Sequence, residues 1–239
     1  MLPPRPLPLP PLPVRAWDLV VLLLLFFGGF VGGVFVIGQF LPPGSLEGLV
    51  PIVLLLAGQA AFMFFVTWLV VLRPHRIGLA EIGLRPTHPA WYRLAMAGGL
   101  LCVPLVSLVN LGFQSLLGGP IENPQLQALA PEGFSWTSLV AMLLLVGVFV
   151  PFVEEIVFRG LIFGWLRKHM GFVGAAVSSA LLFAGLHGIL ALIPALAVMG
   201  LVLAAVNERS GSLWPCIILH GVFNSLMIIT YYTVLAAGS

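Results

Sequence analysis

Charge is what this chain has least of. Only 8% of its 239 residues are Asp, Glu, Lys or Arg, 60% are hydrophobic and the mean hydropathy is +1.14, whereas a soluble domain carries roughly 25% charged residues. That scarcity excludes an ordinary soluble domain and reads as an integral membrane protein. A net charge of +2, with no basic cluster interleaved with exposed aromatics, leaves no electrostatic footprint for nucleic acid. Cysteine is almost missing as well. Cys102 and Cys216 both lie in apolar segments without a CxxC or Cys/His pairing, which argues against a disulfide scaffold or a thiolate zinc site and suits two small buried hydrophobes. The zinc-protease signature HExxH does not occur.

What the chain has in quantity is apolar runs of about 20 residues, the length that crosses a bilayer as a helix. They fall near 17–41, 48–72, 91–117, 136–166, 172–189, 191–207 and 213–236. The fold class expected is therefore all-α, a polytopic membrane helix bundle of about seven transmembrane helices, with a range of six to eight. The fifth and sixth runs are short, and "HGILALIP" between them suits a tight turn within the membrane. Ahead of the first run, "PPRPLPLPPLP" at 3–13 cannot be helical, because proline fixes φ and lacks a donor. Residues 1–16 read as an extended Pro-rich cytoplasmic arm, 17–132 as N-terminal transmembrane helices and 133–239 as a C-terminal transmembrane core.

The basic residues sort cleanly by side. With the N-terminus cytoplasmic, Arg5 and Arg15, then Arg73, Arg76, Arg85 and Arg93, then Arg167 and Lys168, then Arg209 share one face, while the opposite loops carry Glu47, Glu122 and Glu132 and no Lys or Arg. The positive-inside rule makes the basic face cytoplasmic. In the first run, Gly28 with Gly32 and Gly29 with Gly33 are overlapping GxxxG pairs. They permit close helix approach, within the bundle by default or with a second copy as a homodimer.

One basic residue belongs to neither side. Arg159 lies in "VFVPFVEEIVFRG", residues 148–160, together with Glu154 and Glu155. Counting about 1.5 Å per residue from Trp136 puts Glu154 roughly 27 Å along its helix, inside the hydrocarbon. An unpaired charge at that depth costs about 2.5–3.5 kcal/mol on insertion scales, so such residues normally face a bundle interior and a function. Adjacent helical residues point about 100° apart, so the two glutamates need not share a role. Glu155 and Arg159 are i and i+4, the favourable order for a helical ion pair, and Arg159 is expected to neutralise Glu155. Glu154 has Phe158 at i+4 and must find its partner on another helix. Two further apolar segments carry polar groups at helical spacing: Phe183 with His187 in "LLFAGLHGIL", and His220 with Asn224 in "IILHGVFNSL".

Three chemistries fit a convergence of Glu154, His187, His220 and Asn224. Zinc hydrolysis would use the two histidines and a glutamate as ligands. A proton or ion pathway would use them as a relay, although no paired broken helices mark a transporter. Metal-free hydrolysis would use Glu154 as the base on water and histidine or asparagine donors for the oxyanion. Ser178 and Ser179 lie roughly two turns before His187, too far along the axis for a nucleophile and base contact.

At these residues the chain resembles a known family. "EEIVFRG" is similar to its EExxxR motif, "FAGLH" to FxxxH and "HGVFN" to HxxxN, and "EIGLRP" at 81–86 is similar to a segment that often precedes its core. The family is that of the CPBP intramembrane glutamic proteases, which includes CAAX prenyl endopeptidases and proteins of bacteriocin processing and immunity. The resemblance covers about 155–235 together with the upstream part of the fourth helix. It implies a polar cavity within the membrane, opening towards the cytoplasm, in which Glu154 activates water with help from His187, and His220 and Asn224 hold the oxyanion. Glu155 and Arg159 would order the site, and Phe183 would pack and shape it. No metal or other cofactor is implied. The partners implied are a peptide or protein substrate, with a lipidated C-terminus in the CAAX case, and the lipid bilayer, in keeping with a bacterial inner or plasma membrane. The alternatives are a zinc-dependent membrane metalloprotease and a non-catalytic immunity or scaffold protein.

Overall fold

A computed structural model describes residues 11–42, 44–45, 47–119, 126–127, 129–130 and 133–238. Most of the Pro-rich arm, with Arg5, and the acidic Glu122 and Glu132 lie outside them. The seven apolar runs are all helical. We number them α1 (Ala16–Gly38), α2 (Leu49–His75), α3 (Ala90–Leu116), α4 (Trp136–His169), α5 (Phe172–Gly185), α6 (Ile193–Ser210, entered through a 3-10 turn at Leu190–Leu192) and α7 (Leu213–Gly238). Six are long and apolar enough to cross a membrane, and α5 is the shorter exception.

The difference at α5 has a local cause. The sequence suggested a helix over 172–189, but it stops at Gly185. The last amide bonds tighten to i→i−3, from His187 to Ala184 and from Gly188 to Gly185. Gly188 then takes φ +74, the left-handed conformation that ends helices and that glycine adopts without strain. At about 1.5 Å per residue its 14 residues reach only about 21 Å, short of the roughly 30 Å hydrocarbon core.

Helix α7 stands at the centre. Half of its most apolar window is buried, 50% against 11% for α1, and it packs on α3, α4 and α6. Small residues set these seams. A Cβ at Gly99 in α3 would lie 2.7 Å from Val222 of α7, and one at Gly200 in α6 would lie 2.8 Å from Ala180 of α5. Such distances are possible only without a side chain, so helix backbones approach where glycine allows it. In α1, by contrast, a Cβ added at Gly28, Gly32 or Gly33 would meet nothing within 4 Å, whereas one at Gly29 would lie 3.0 Å from the Phe62 ring. The default reading of Gly28 and Gly32 as packing residues within the bundle is therefore corrected: helix α1 turns that face outward.

The two ends of the bundle differ in chemistry. At one end Asp18 pairs with His75 at 2.8 Å, Arg85 Nε donates to the Gly211 carbonyl at 3.0 Å, Thr87 Oγ1 donates to Ser210 O at 2.8 Å and Arg167 pairs with Glu208 at 3.1 Å. These contacts knit the basic segments into one cap. At the other end Tyr232 donates its hydroxyl to Leu129 O at 2.7 Å, and Ser135 caps α4 by accepting from the Ser138 amide at 3.0 Å.

Candidate active site

The two adjacent glutamates of α4 meet different surroundings. Glu155 is fully buried, with 0% of its side chain exposed, whereas Glu154 keeps 19%. Beneath the site, Glu155 Oε1 accepts from Arg159 Nη1 at 3.0 Å and from the His220 ring nitrogen Nδ1 at 2.9 Å. Arg159, itself 1% exposed, sends Nη2 to the Gly200 carbonyl at 3.3 Å and lays its guanidinium 4.6 Å over the Phe183 ring. Glycine at 200 thus serves twice. It admits Ala180, and its carbonyl takes the cation. A guanidinium over an aromatic face is attractive and more so when water is excluded. The Glu155 Oε2 and Arg159 Nε atoms are buried and, among the described residues, have no hydrogen-bond partner.

The backbone of α4 is widened into π-turns at Leu145–Phe149 and Ile156–Phe163, on either side of the glutamates. In the first, Val150 N–H reaches back to Leu145 O. The next donor in that register is missing, because residue 151 is proline. The Val146 carbonyl left open is taken by Asn224 Nδ2 at 2.9 Å. In the second, Asn207 of α6 donates Nδ2 to the Arg159 carbonyl at 3.3 Å. Widened turns of this kind are common at functional sites.

The two histidines are both anchored through Nδ1, one to a backbone carbonyl and the other to a carboxylate. His187, in the turn after α5, contacts Phe183 O through Nδ1 at 2.8 Å. A carbonyl only accepts, so this nitrogen carries the proton and Nε2 is the acceptor of the neutral ring. His220 donates Nδ1–H to the Glu155 carboxylate, and its Nε2 stands 3.7 Å from Glu154 Oε2. Phe183 lies between the rings, edge-on at 4.7 Å to His187 and 5.8 Å to His220.

Glu154, His187, His220, Asn224 and Phe183 all line one cavity of about 480 Å³. Glu155 and Arg159 do not; they are buried behind it, against His220 and Phe183. Pairing Glu155 with Arg159 alone missed His220, which sits between the two carboxylates. Three more polar residues on the cavity wall, Gln59 of α2 and Ser107 and Asn110 of α3, went unread in the sequence. Their signal was the same one that exposed Glu154, a polar group inside an apolar span. Among the described residues no three His, Cys, Asp or Glu side chains are grouped so as to hold a metal ion.

A helix bundle of this hydropathy, with a carboxylate, two histidines and an amide around an internal cavity, is an integral membrane protein with the makings of a hydrolytic site. Residues 136–226, running from the start of α4 into α7, match the family described as Rce1-like, type II CAAX prenyl endopeptidase, the segment that carries the CPBP-like motifs. The family is one of membrane endopeptidases. Comparison with curated proteins and with solved structures gave no match.

Proposed function

We propose that the protein is an intramembrane glutamic endopeptidase in which Glu154 activates water for attack on a peptide carbonyl. The observation that carries this reading is the separation of the two glutamates: Glu155 is sealed beneath the site with Arg159 and His220, and Glu154 faces the cavity with His187 and Asn224. A carboxylate in a poorly solvated cavity, held beside hydrogen-bonding groups, is what general-base chemistry on water needs.

In the first step Glu154 takes a proton from water, the oxygen bonds to the carbonyl carbon, and the carbonyl electron pair moves onto its oxygen. His187, accepting through Nε2, helps to orient that water. The oxyanion is met by donors. Asn224 spends one N–H on Val146 O and has a second to offer. His220 has Nδ1–H committed to Glu155, so its Nε2 donates to the oxyanion only when the ring carries both protons. In the second step the oxyanion collapses, the carbon–nitrogen bond breaks and Glu154 returns its proton to the leaving amine. Arg159 balances the charge of Glu155, whose carboxylate also holds His220 in place.

The family supports a substrate cut near a membrane-held end, in the CAAX class a prenylated C-terminus. The charge asymmetry supports a basic face in the cytoplasm, in a bacterial inner or plasma membrane. The test is cleavage, in detergent, of matched reporter peptides with and without a C-terminal isoprenyl group. Glu154→Gln should reduce turnover by at least about 10²-fold, the usual worth of a general base, at an unchanged melting temperature. Full activity in Glu154→Gln would overturn the mechanism. Activity lost to chelator and restored by zinc selects a metalloenzyme instead.

A further inference from the structure

Two guanidiniums at the basic end of α2 lack an anion among the described residues. Arg73 and Arg76 are both exposed, and neither has a hydrogen-bond acceptor or an ion-pair partner for its side chain. The acids of this region are taken elsewhere: Asp18 accepts from His75 and from the Arg15 amide, each at 2.8 Å, and Glu81 accepts from the Gly78 amide. The two arginines open on a groove of about 410 Å³, lined also by Phe64, Trp68, Leu72 and Leu79 and sharing no residue with the cavity of Glu154. It lies outside the family-matched segment, 136–226.

The backbone presents these side chains at a cost. Helix α2 ends in a Schellman motif, in which Arg76 N–H returns to Arg73 O at 3.2 Å and Ile77 N–H to Leu72 O at 2.9 Å. The motif puts Arg76 in the left-handed region, at φ +53, the only described non-glycine residue with a positive φ. Glycine fills that position without strain, so an arginine there points to a use for its side chain. Arg73, three residues earlier, holds its guanidinium 5.3 Å over the Trp68 ring. That contact fixes the cation and supplies no oxygen to its N–H groups. The helix macrodipole favours cations at this end, but it requires neither the aromatic contact nor a left-handed arginine.

The groove stands where a lipid changes from head to tail. The 27 residues of α2 reach about 40 Å at 1.5 Å per residue, more than the roughly 30 Å hydrocarbon core, so the last turn overhangs into the headgroups. Trp68 is roughly 8 Å deeper than Arg73, at the boundary where tryptophan is enriched. Phe65, Trp68 and Leu69, at i, i+3 and i+4, form an exposed apolar stripe on one helical face.

We propose that this groove binds one anionic glycerophospholipid, its phosphate between Arg73 and Arg76 and an acyl chain laid along Phe65, Trp68 and Leu69. Guanidinium forks match phosphate oxygens, and basic pockets beside membrane helices select such headgroups. The site does not depend on the role of Glu154.

Native mass spectrometry of the full-length protein in detergent, titrated with dioleoyl phosphatidylglycerol or dioleoyl phosphatidylcholine, tests this. One phosphatidylglycerol should be retained per protein, and Arg73→Gln combined with Arg76→Gly should weaken it by about ten- to thirty-fold, the worth of two basic side chains at a lipid surface. Glycine at 76 relieves the left-handed turn, so the melting temperature of this variant should not fall. Arg93→Gln combined with Arg209→Gln removes the same charge from the basic end outside the groove and should leave binding within about twofold, because distant exposed charges are screened. Equal loss in the two double variants, or equal retention of the two lipids, overturns the site. Inorganic phosphate in large excess should fail to displace the lipid. Displacement would make the groove a site for a free anion and overturn the lipid assignment.

Discussion

Asn224 of α7 donates its side-chain amide to the main-chain carbonyl of Val146 in α4, 2.9 Å away. The carbonyl is open because Pro151 brings no N–H to it, so a side chain on one helix completes the backbone of another. Asn224→Leu should cost about 1 kcal/mol, the low end of the penalty for an acceptor left unpaired because this one is only partly buried, read from denaturation in detergent. In a Pro151→Ala background, where an amide N–H returns to α4, the same substitution should cost less, by about 1 kcal/mol. Additive costs would show that Pro151 does not create the open carbonyl.

Arg159→Leu leaves Glu155 buried without its cation. Breaking a buried pair from one side typically costs about 3–5 kcal/mol, and a loss of this size is expected in thermal or chemical unfolding. Adding Glu155→Gln should restore part of it, because the uncompensated charge is then gone. Restoration by Arg159→Lys alone should be poor, since a point charge cannot reach Glu155, Gly200 O and the Phe183 face together.

Glycines that look alike in sequence should respond oppositely. Gly200→Ala sets a methyl 2.8 Å from the Ala180 Cα, and overpacking of that kind costs about 1–3 kcal/mol. Gly28→Ala and Gly32→Ala meet nothing within 4 Å and should be neutral or gain up to about 1 kcal/mol from helix propensity. Comparing melting temperatures of the three variants in one detergent decides this.

Removal of divalent metals should leave cleavage unchanged if Glu154 alone activates water. Treatment with a strong zinc chelator, followed by zinc addition, should move the rate by less than about twofold, against the 10²-fold or greater effect expected of Glu154→Gln. Parallel metal analysis of the purified protein makes the comparison quantitative.

Hydropathy alone reached the bundle, because a bilayer demands long apolar runs and satisfied backbones, and both are written locally in the chain. The relation of Glu155 to Arg159 was equally local, one helical turn. His220 was legible as a polar residue in an apolar span, but its place between Glu154 and Glu155 depends on how α7 packs on α4, through contacts such as that of Gly147 with Gly221 and Ser225, and no periodicity encodes that. The early stop of α5 turned on a single left-handed glycine, Gly188. Gln59, Ser107 and Asn110 were overlooked for want of a motif; their common cavity is a property of three dimensions. The π-turns beside the glutamates, with their displaced carbonyls, were likewise beyond spacing arguments.

The shortness of α5 reaches beyond the site. A hydrophobic length of about 21 Å is set beside a hydrocarbon layer of about 30 Å, with Leu190 at the tip of the turn 80% exposed. Acyl chains next to this hairpin must shorten, or fold over its tip, and either response adds elastic energy for each ångström of mismatch. Lipid chain length thereby enters the stability of the segment that carries His187, making bilayer thickness a setting for the protein as real as temperature.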